Sequence, residues 1–337
     1  MGKLRLAIAG AGLIGRAHWK RMLASSACEL AAFADPFPST AALAAEAGVP
    51  LYPTLEAMLA DERPDGVILA TPNALHVSGA RACIEAGVPA LVEKPVGGTL
   101  DESRQLAEAA EAAGVPILVG HHRRHSGILE AACDTIASGR LGRLVAVTAS
   151  ATFHKPDDYF DADWRRRQGG GPILINLVHE IDNLRALVGE IVEVQAFGSH
   201  AVRGFEVEDT VAVNLRFANG ALGSIAATTA AAPGFPHRVE VYGTRGGVQI
   251  EGEAVVRWET TEGPQIANTA PVPQAAGAGA SPGGISTAGH TRIMGDFVEA
   301  IRAGRPPLIP DQEARRSLAA VLAVYEAAQT GRATRPG

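Results

Sequence analysis

The chain begins with a short apolar run that ends in a glycine-rich turn. Leu4, Leu6 and Ile8 belong to the run, and Gly10-Ala11-Gly12-Leu13-Ile14-Gly15 follows it directly. A continuous apolar run that is bounded by glycine is typical of a buried strand in a parallel sheet. The pattern predicts a strand, a tight turn and a helix, in that order.

Strand-like and helix-like patterns then alternate through the first third of the chain. Predicted strands cover 29–34, 66–70, 90–92 and 117–120, and predicted helices cover 77–86 and 102–113. Such alternation is typical of a parallel, doubly wound sheet, which binds its ligands at the carboxyl ends of the strands.

The second half of the chain has a different pattern. Strand-like runs cover 192–196, 210–217, 220–227, 238–242 and 247–250. Asn219-Gly220, between two of these runs, is a strong hairpin signal, so we expect an antiparallel sheet. Helices are predicted over 172–188, 290–303 and 312–329. The segment 269–289 is rich in Ala, Gly, Pro and Ser and is predicted to be a flexible loop.

Charge and cysteine content exclude several classes of protein. A net charge of −6 over 337 residues argues against a nucleic-acid partner, because phosphate binding draws on clustered Lys and Arg. Cys28, Cys83 and Cys133 are too widely spaced for a disulfide framework or a zinc site, so we expect buried free thiols and no metal. We see neither a secretory signal nor an apolar stretch long enough for a membrane span. We therefore expect a soluble, cytoplasmic protein without a membrane partner.

The glycines of the opening turn have separate physical roles. One permits a tight turn, one lets the backbone approach a pyrophosphate, and one lets the following helix pack on the strand. The helix N-terminus offers N–H groups and a positive dipole end to phosphate. Asp35, twenty residues after Gly15, would bind ribose hydroxyls and repel a 2′-phosphate. We predict a Rossmann domain that binds NAD in preference to NADP through Gly10, Gly12, Leu13, Ile14, Gly15 and Asp35.

Further motifs follow the predicted strands. Ala70-Thr71-Pro72-Asn73 is followed by His76, Glu93-Lys94-Pro95 comes after the next strand, and Gly169-Gly170-Gly171 and His179 come later. With these motifs the chain resembles the glucose–fructose oxidoreductase and inositol dehydrogenase (Gfo/Idh/MocA) family. The resemblance continues through 296–304 to the helix that ends near Gly331, so it covers nearly the whole chain.

The resemblance implies an α/β protein of two domains. Residues 1–123 would form the doubly wound parallel Rossmann domain. Residues 124–337 would form an α+β domain with an open, mostly antiparallel sheet that binds substrate and pairs protomers into a homodimer or homotetramer. The C-terminal helices are allowed to pack back on the first domain. Further cofactor contacts are expected from Thr71, Pro72, Asn73, His76, Glu93 and Lys94.

The implied activity is an NAD(P)-dependent dehydrogenase or reductase that acts on CH–OH groups of a cyclic polyol, sugar or sugar-acid derivative. Hydride passes between carbon and nicotinamide, and the protein must handle the hydroxyl proton. Lys94, in a strand-end loop and restrained by Pro95, is the first candidate for that role. Burial and the charge of the cofactor could lower its pKa. A surface lysine is the alternative.

His179 is the second candidate. In the apolar helix predicted over 172–188, Asn176, His179, Glu180 and Asn183 have the spacing of one helical stripe, which predicts a lined pocket. Inositol dehydrogenases of the family carry an Asp four residues before this His, whereas this chain has Ile175. We assign a catalytic role to His179 and an orienting role to Asn176; a core histidine is the alternative.

Substrate contacts are also expected from Arg123, Tyr159 and Trp164. Arg123 lies in the basic segment 121–125, and Trp164 precedes Arg165-Arg166-Arg167. One arginine from each group could hold a carboxylate, which would favour an anionic substrate, while a surface of salt bridges would leave a neutral polyol. Two other functions stay open: an enzyme that uses tightly bound NAD transiently, for glycoside cleavage or epimerisation, and a non-catalytic NAD-dependent sensor.

Overall fold

The computed structural model describes residues 2–252, 254–264 and 287–337. Its internal contacts divide the chain into two compact units. Unit 1 comprises Met1–His122 and Ala288–Leu318, and unit 2 comprises Arg123–Thr287 and Ala319–Gly337. The segment 288–318 therefore belongs to the same unit as the first 122 residues.

Unit 1 contains a six-stranded parallel sheet. Its strands are β1 (Leu4–Ala9), β2 (Cys28–Ala34), β3 (Leu51–Tyr52), β4 (Gly66–Leu69), β5 (Ala90–Val92) and β6 (Ile117–Val119). They are ordered β3-β2-β1-β4-β5-β6, and every pairing is parallel. The chain order reverses at β1, so the glycine turn after β1 lies at the switch point where such sheets bind ligands. The predicted doubly wound parallel sheet is confirmed.

Among the described residues, six α-helices lie in unit 1 beside the first part of the C-terminal helix. They are α1 (Leu13–Leu23), α2 (Ala41–Ala47), α3 (Leu55–Glu62), α4 (His76–Glu85), α5 (Leu100–Ala113) and α8 (Thr287–Ala303). Strand residues such as Leu6, Ile8 and Ile68 are fully buried. They pack in one core with Phe297 of α8. Each large apolar side chain buried in this way contributes about 1.5–3 kcal/mol to folding.

Unit 2 contains an eight-stranded sheet. Its strands are β7 (Leu144–Thr152), β8 (Ile191–Ser199), β9 (Thr210–Phe217), β10 (Leu222–Thr228), β11 (Arg238–Gly243), β12 (Gly246–Glu251), β13 (Ala254–Thr260) and β14 (Gly263–Pro264). The order is β14-β13-β12-β11-β7-β10-β9-β8. Only β7 and β10 pair in parallel, so the predicted mostly antiparallel sheet is confirmed.

One face of this sheet packs on helices. They are α6 (Gly127–Ala137), α7 (Val178–Val188) and the part of α9 (Asp311–Thr330) that belongs to unit 2. Alternate strand residues such as Val213 and Val241 point into a core shared with Ile181 and Val324. The other residues of these strands form a face that no described helix covers, because side chains alternate across a strand.

Several predicted elements differ from the observed ones. The sequence did not reveal β3, β7, β13 or β14. Residues 287–289, placed in the predicted loop 269–289, are the first residues of α8, and the rest of that loop lies outside the described residues. Cys28 and Cys83 are buried free thiols, whereas Cys133 is half-buried.

Candidate functional site

The glycine turn of unit 1 has the shape that a dinucleotide needs. Gly10 has φ +89°, and a Cβ there would lie 2.5 Å from the Ala70 carbonyl oxygen. A Cβ on Gly15 would collide with the Gly10 carbonyl, so α1 packs directly on the turn. A Cβ on Gly12 would meet no atom within 4 Å, which leaves open space at the N-terminus of α1. A phosphate group fits that space, and the helix N–H groups and dipole favour it.

Two exposed apolar residues border the turn. Leu13 at the first position of α1 and Leu75 after the Thr71-Pro72-Asn73 loop are both half-exposed. Ile14 is half-buried. The flat face of an aromatic coenzyme ring packs well on apolar side chains, so their exposure fits a ligand-binding edge.

Asp35 follows β2 and holds the glycine turn. Its Oδ2 accepts a hydrogen bond from the Ala11 N–H at 2.7 Å, and its Oδ1 accepts one from the Phe37 N–H at 2.9 Å. A carboxylate offers about four acceptor positions, so two remain for ribose hydroxyls. The predicted residue thus has a structural contact that the sequence did not reveal.

His76 connects two of the motif loops. The ring is buried, its Nε2 lies 2.9 Å from the Thr71 carbonyl oxygen, and its Nδ1 lies 2.8 Å from the Pro95 carbonyl oxygen. A neutral imidazole donates to one of the two carbonyls at a time. His76 therefore braces the loop after β4 against the loop after β5.

Glu93 and Lys94 follow β5. Glu93 is buried, and its Oε1 lies 2.9 Å from Nε2 of His18, a residue of α1. Burial alone would raise the pKa of Glu93, but the hydrogen bond and charge of His18, with the charges of His290 and Lys94, outweigh it and lower the pKa to about 2. Glu93 is thus an anion at any working pH. Lys94 is half-buried, so it is not simply a surface lysine.

Further histidines lie close to Glu93 and its partner His18. The His290 ring stacks on His122 with centroids 3.9 Å apart and meets His18 edge-on at 5.9 Å. His18 is fully buried and His290 nearly so. His290 lies inside α8, which corrects the prediction that the helix begins at this residue.

In unit 2, the helix that carries His179 begins irregularly. Residues 173–177 form a π-helical turn before α7, where a regular α-helix was predicted. Oε1 of Glu208 accepts a hydrogen bond from the Ile173 N–H at 3.0 Å. Burial raises the pKa of Glu208, and this hydrogen bond offsets only part of the rise. Gly171 has no room for a side chain beside Glu208. The turn shifts Asn176 from the single stripe that regular α-helical spacing predicted.

The polar residues of this helix are nevertheless buried together. Each of the four has less than a tenth of its surface exposed: Asn176, His179, Glu180 and Asn183. Among the described residues, Oδ1 of Asn176, Oδ1 of Asn183 and Oε2 of Glu180 have no hydrogen-bond partner. A buried acceptor left without a partner costs about 1–3 kcal/mol. These atoms therefore call for donors from outside the described residues.

The arginines predicted to bind an anion are already paired. Arg123 Nη1 donates to Oε1 of buried Glu180. Arg124 contacts Asp182 through two bonds of 3.0 and 3.2 Å. The sequence did not reveal these ion pairs, because the partners lie 57 and 58 residues apart.

The second basic group is also engaged. The Arg165 guanidinium lies 4.0 Å above the Tyr159 ring and donates to the Tyr159 carbonyl oxygen at 2.5 Å. Burial raises the pKa of Tyr159, and the charge of Arg165 partly offsets the rise. Trp164 is half-exposed. Arg165 thus lies over both rings, 5.3 Å from the Trp164 centroid, and Tyr159 is the more buried of the two aromatic residues.

A cavity of about 370 Å³ opens at the same edge of unit 2 as the ends of β7 and β10. It is lined by His154, Asp157, Val202, Arg203, Phe205 and Ala230. Arg203 donates to the Lys155 carbonyl oxygen at 2.5 Å and to the Thr229 carbonyl oxygen at 3.1 Å. Its guanidinium therefore ties the cavity wall together.

Two further properties concern the described residues as a whole. No group of three His, Cys, Asp or Glu side chains among them could hold a metal ion. None of their helices is long and apolar enough to cross a membrane.

Comparison with known proteins agrees with this architecture. The family model for the "Oxidoreductase family, NAD-binding Rossmann fold" matches residues 4–121, and the model for the "GFO/IDH/MocA C-terminal domain" matches 129–249. Rhizopine catabolism protein MocA of Rhizobium meliloti is 32% identical over 267 residues, which are 76% of this chain and 82% of that protein. The 1,5-anhydro-D-fructose reductase of Ensifer adhaerens is 34% identical over 302 residues, 87% and 86% of the two chains.

A solved structure matches over nearly its full length. The WlbA dehydrogenase of Bordetella pertussis, in complex with NADH and UDP-GlcNAcA, is 28% identical with a TM-score of 0.86 and covers 99% of this chain and 98% of its own. The glycine turn, the motif loops and the two sheets all fit the family that the two family models identify. The chain belongs to the Gfo/Idh/MocA family of NAD-binding oxidoreductases.

Proposed function

We propose that the protein is an NAD-dependent dehydrogenase or reductase of a secondary alcohol or carbonyl in a cyclic polyol, sugar or sugar derivative. Its relatives include a 1,5-anhydro-D-fructose reductase and inositol 2-dehydrogenases. The glycine turn and Asp35 support coenzyme binding in unit 1. The buried polar residues of α7 and its π-helical turn support substrate binding in unit 2.

The unpartnered acceptors near α7 are the observation that carries the proposal. Oδ1 of Asn176, Oδ1 of Asn183 and Oε2 of Glu180 can accept hydrogen bonds and have no partner among the described residues. A polyol is rich in O–H donors, whereas a hydrocarbon or a simple ketone offers none. Discrimination is strong where a site hydrogen-bonds a substrate hydroxyl, because an analogue without it leaves these atoms unpaired.

Lys94 and His179 are the residues we assign to proton handling. Bound nicotinamide supplies the hydride acceptor or donor. In the oxidation direction, His179 accepts the hydroxyl proton and Lys94 donates a hydrogen bond to the substrate oxygen. Glu93, the residue before Lys94, is an anion, so we assign the lysine the role of a hydrogen-bond donor and not that of the base. Asn176 orients the substrate.

A neutral substrate is favoured over an anion. Two arginines of the basic segment 121–125 are paired with carboxylates of α7, Arg123 with Glu180 and Arg124 with Asp182. Each guanidinium already faces a carboxylate of this chain, so a substrate carboxylate would meet a neutralised arginine and would have to share it. The paired arginines therefore support a polyol or aldose before a sugar acid.

A substrate panel tests the proposal. Inositols, aldoses and their matching uronic acids are incubated with NAD, and NADH formation is followed by absorbance. Glucose and glucuronic acid form a useful pair, because they differ in one carboxylate. We expect turnover of neutral polyols or aldoses, with the matching acids slower.

Other outcomes identify the rival functions. Turnover without net NADH, with coenzyme retained through purification, indicates transient use of NAD in epimerisation or glycoside cleavage. Tight coenzyme binding with no turnover of any compound indicates a sensor. Absence of binding of either nicotinamide coenzyme contradicts all three.

Replacing Asp35 with Asn is expected to weaken NAD binding by about tenfold and to raise the affinity for NADP relative to NAD. One charge-assisted hydrogen bond to a ribose hydroxyl is worth about 1.5–3 kcal/mol, and removal of the negative charge admits a 2′-phosphate. Coenzyme titrations followed by fluorescence measure both affinities.

Asp65 offers a matched control for this variant. Its Oδ2 also accepts a backbone N–H, from Arg5 at 2.7 Å, but it is exposed and precedes β4. Asp65→Asn should leave the ratio of NADP to NAD affinity unchanged. If Asp35→Asn also leaves the ratio unchanged, Asp35 does not select the coenzyme.

We further propose that a second copy of the chain covers the exposed face of the eight-stranded sheet. Phe197 and Leu222 are exposed on that face, and the neighbouring Ala212 and Ala226 are small, so another sheet can approach closely. Light scattering coupled to size exclusion should report a dimer or tetramer, and Phe197→Glu with Leu222→Glu should report a monomer. A wild-type monomer contradicts this proposal.

A further inference from the structure

The residues on both sides of Lys94 are held by histidines. His18 Nε2 lies 2.9 Å from Oε1 of Glu93, the residue before it. His76 Nδ1 lies 2.8 Å from the carbonyl oxygen of Pro95, the residue after it. The backbone of Lys94 is therefore fixed from two directions by side chains of α1 and α4.

The contact from His18 is defined chemically. An ionised carboxylate only accepts hydrogen bonds, so Nε2 of His18 carries the proton that it donates to Glu93. On its other side the Glu93 carboxylate lies against bare backbone, because a Cβ on Gly120 would come within 2.9 Å of Oε2. Neither a larger residue at 120 nor a shorter one at 18 would keep this arrangement.

His18 is itself held in place by a second layer. His290 of α8 meets the His18 ring edge-on and stacks on His122, which follows β6. Residues of α1, of α8 and of the loop after β6 thus lie in one cluster beside the Glu93 carboxylate.

We propose that His18, supported by His290, is a positioning residue that acts through Glu93 to place and charge Lys94. The inference rests on the proposed catalytic role of Lys94. An orientation error of about 1 Å at a reacting group can cost about a hundredfold in rate, which is reason enough for such a buried brace.

The charged groups around Glu93 determine what its removal does. His18 and Arg21 face it from α1, His290 faces it from α8, and Lys94 follows it in the chain. His18 makes the largest contribution that lowers the pKa of Glu93, and burial raises this pKa. Removal of His18 should therefore raise the pKa of Glu93. The carboxylate then protonates at a higher pH, and Lys94 loses the anion beside it as the pH falls.

Three variants test the proposal. His18→Leu removes the donor, His18→Gln keeps an N–H donor with similar reach, and Glu93→Gln removes the charge. Trp19→Phe is the matched control, because Trp19 is the next residue of α1, is also buried, and packs edge-on against Phe33. Activity is measured against pH with the substrate identified in the panel.

We expect His18→Leu to lower kcat by about ten- to a hundredfold with KM nearly unchanged, and to move the acid-side loss of rate to higher pH. His18→Gln should recover most of kcat, and Trp19→Phe should behave as wild type. Wild-type kcat in His18→Leu overturns the proposal. So does an equal loss in His18→Gln with an unchanged pH profile, which would indicate a packing role alone.

A second measurement does not need a substrate. The chain has four lysines, Lys3, Lys20, Lys94 and Lys155, so an NMR spectrum of ε-¹³C-lysine protein can be assigned with Lys94→Ala. His18→Leu should shift the Lys94 signal and its titration and leave the other three unchanged. An unmoved Lys94 signal overturns the inference. A wild-type protein that turns over nothing, with the Lys94 shift present, instead contradicts the proposed function.

Discussion

Replacing Lys94 with alanine is expected to lower kcat by about 10²–10⁴-fold while NADH affinity changes by less than about threefold. Lys94 is half-buried after β5, with an ionised carboxylate before it and a braced proline after it. Its backbone is therefore held in place beside an anion, and an ammonium at this position is suited to donate to a substrate oxygen that gains negative charge in the transition state. Interactions made mainly in that state appear in kcat, and the glycine turn that we assign to the coenzyme stays intact.

Steady-state kinetics, with the substrate identified in the panel, give kcat. Fluorescence titration with NADH gives the coenzyme affinity. Lys20→Ala is the control, since Lys20 is an exposed lysine of α1. Lys94→Arg retains the charge but not the compact donor, so we expect only partial recovery. Near wild-type turnover in Lys94→Ala would remove the lysine from the mechanism.

The opening strand and glycine turn were predictable because their signals are local. Leu6 and Ile8 belong to a continuous apolar strand. Gly10 is required by the positive φ of the turn, and Gly15 is required because its Cα lies against the Gly10 carbonyl. The Asn219-Gly220 hairpin between β9 and β10 was predictable for the same reason, since Gly220 has φ +88°.

Elements built from small or distant residues escaped prediction. β7, a central strand of its sheet, buries Val147, Ala149 and Ala151 and alternates them with Thr and Ser, which gives a weak apolar pattern. The π-helical turn before α7 depends on Glu208, which lies 35 residues after the N–H that it accepts. No window of local sequence contains both groups.

The candidate site was predictable as a set of residues but not as a set of contacts. Motif residues such as His76 and Glu93 were named as cofactor ligands, and that role stays a prediction, but the structure also makes them braces of Lys94. His18 had no motif of its own in the sequence analysis, because its partner is 75 residues away. The ion pairs of Arg123 and Arg124 were hidden by similar separations.

Replacing His179 with glutamine is the second substitution with a large expected effect. Glutamine keeps a hydrogen-bonding side chain of similar length but cannot take up a proton at working pH. If His179 accepts the hydroxyl proton, kcat for alcohol oxidation should fall by about 10²–10⁴-fold, and the loss of rate toward acid that protonation of His179 would cause should be absent. The residue is buried on α7 beside Glu180, so the substitution adds no exposed polar surface.

Asn176→Ala separates this role from simple substrate orientation. Asn176 is buried on the same helix with Oδ1 unpartnered among the described residues, and we assign it to binding. Its loss should raise KM by about tenfold and lower kcat much less, because it contacts ground state and transition state alike. If His179→Gln shows that same pattern, with the acid limb of the pH profile retained, the histidine orients the substrate and another group takes the proton.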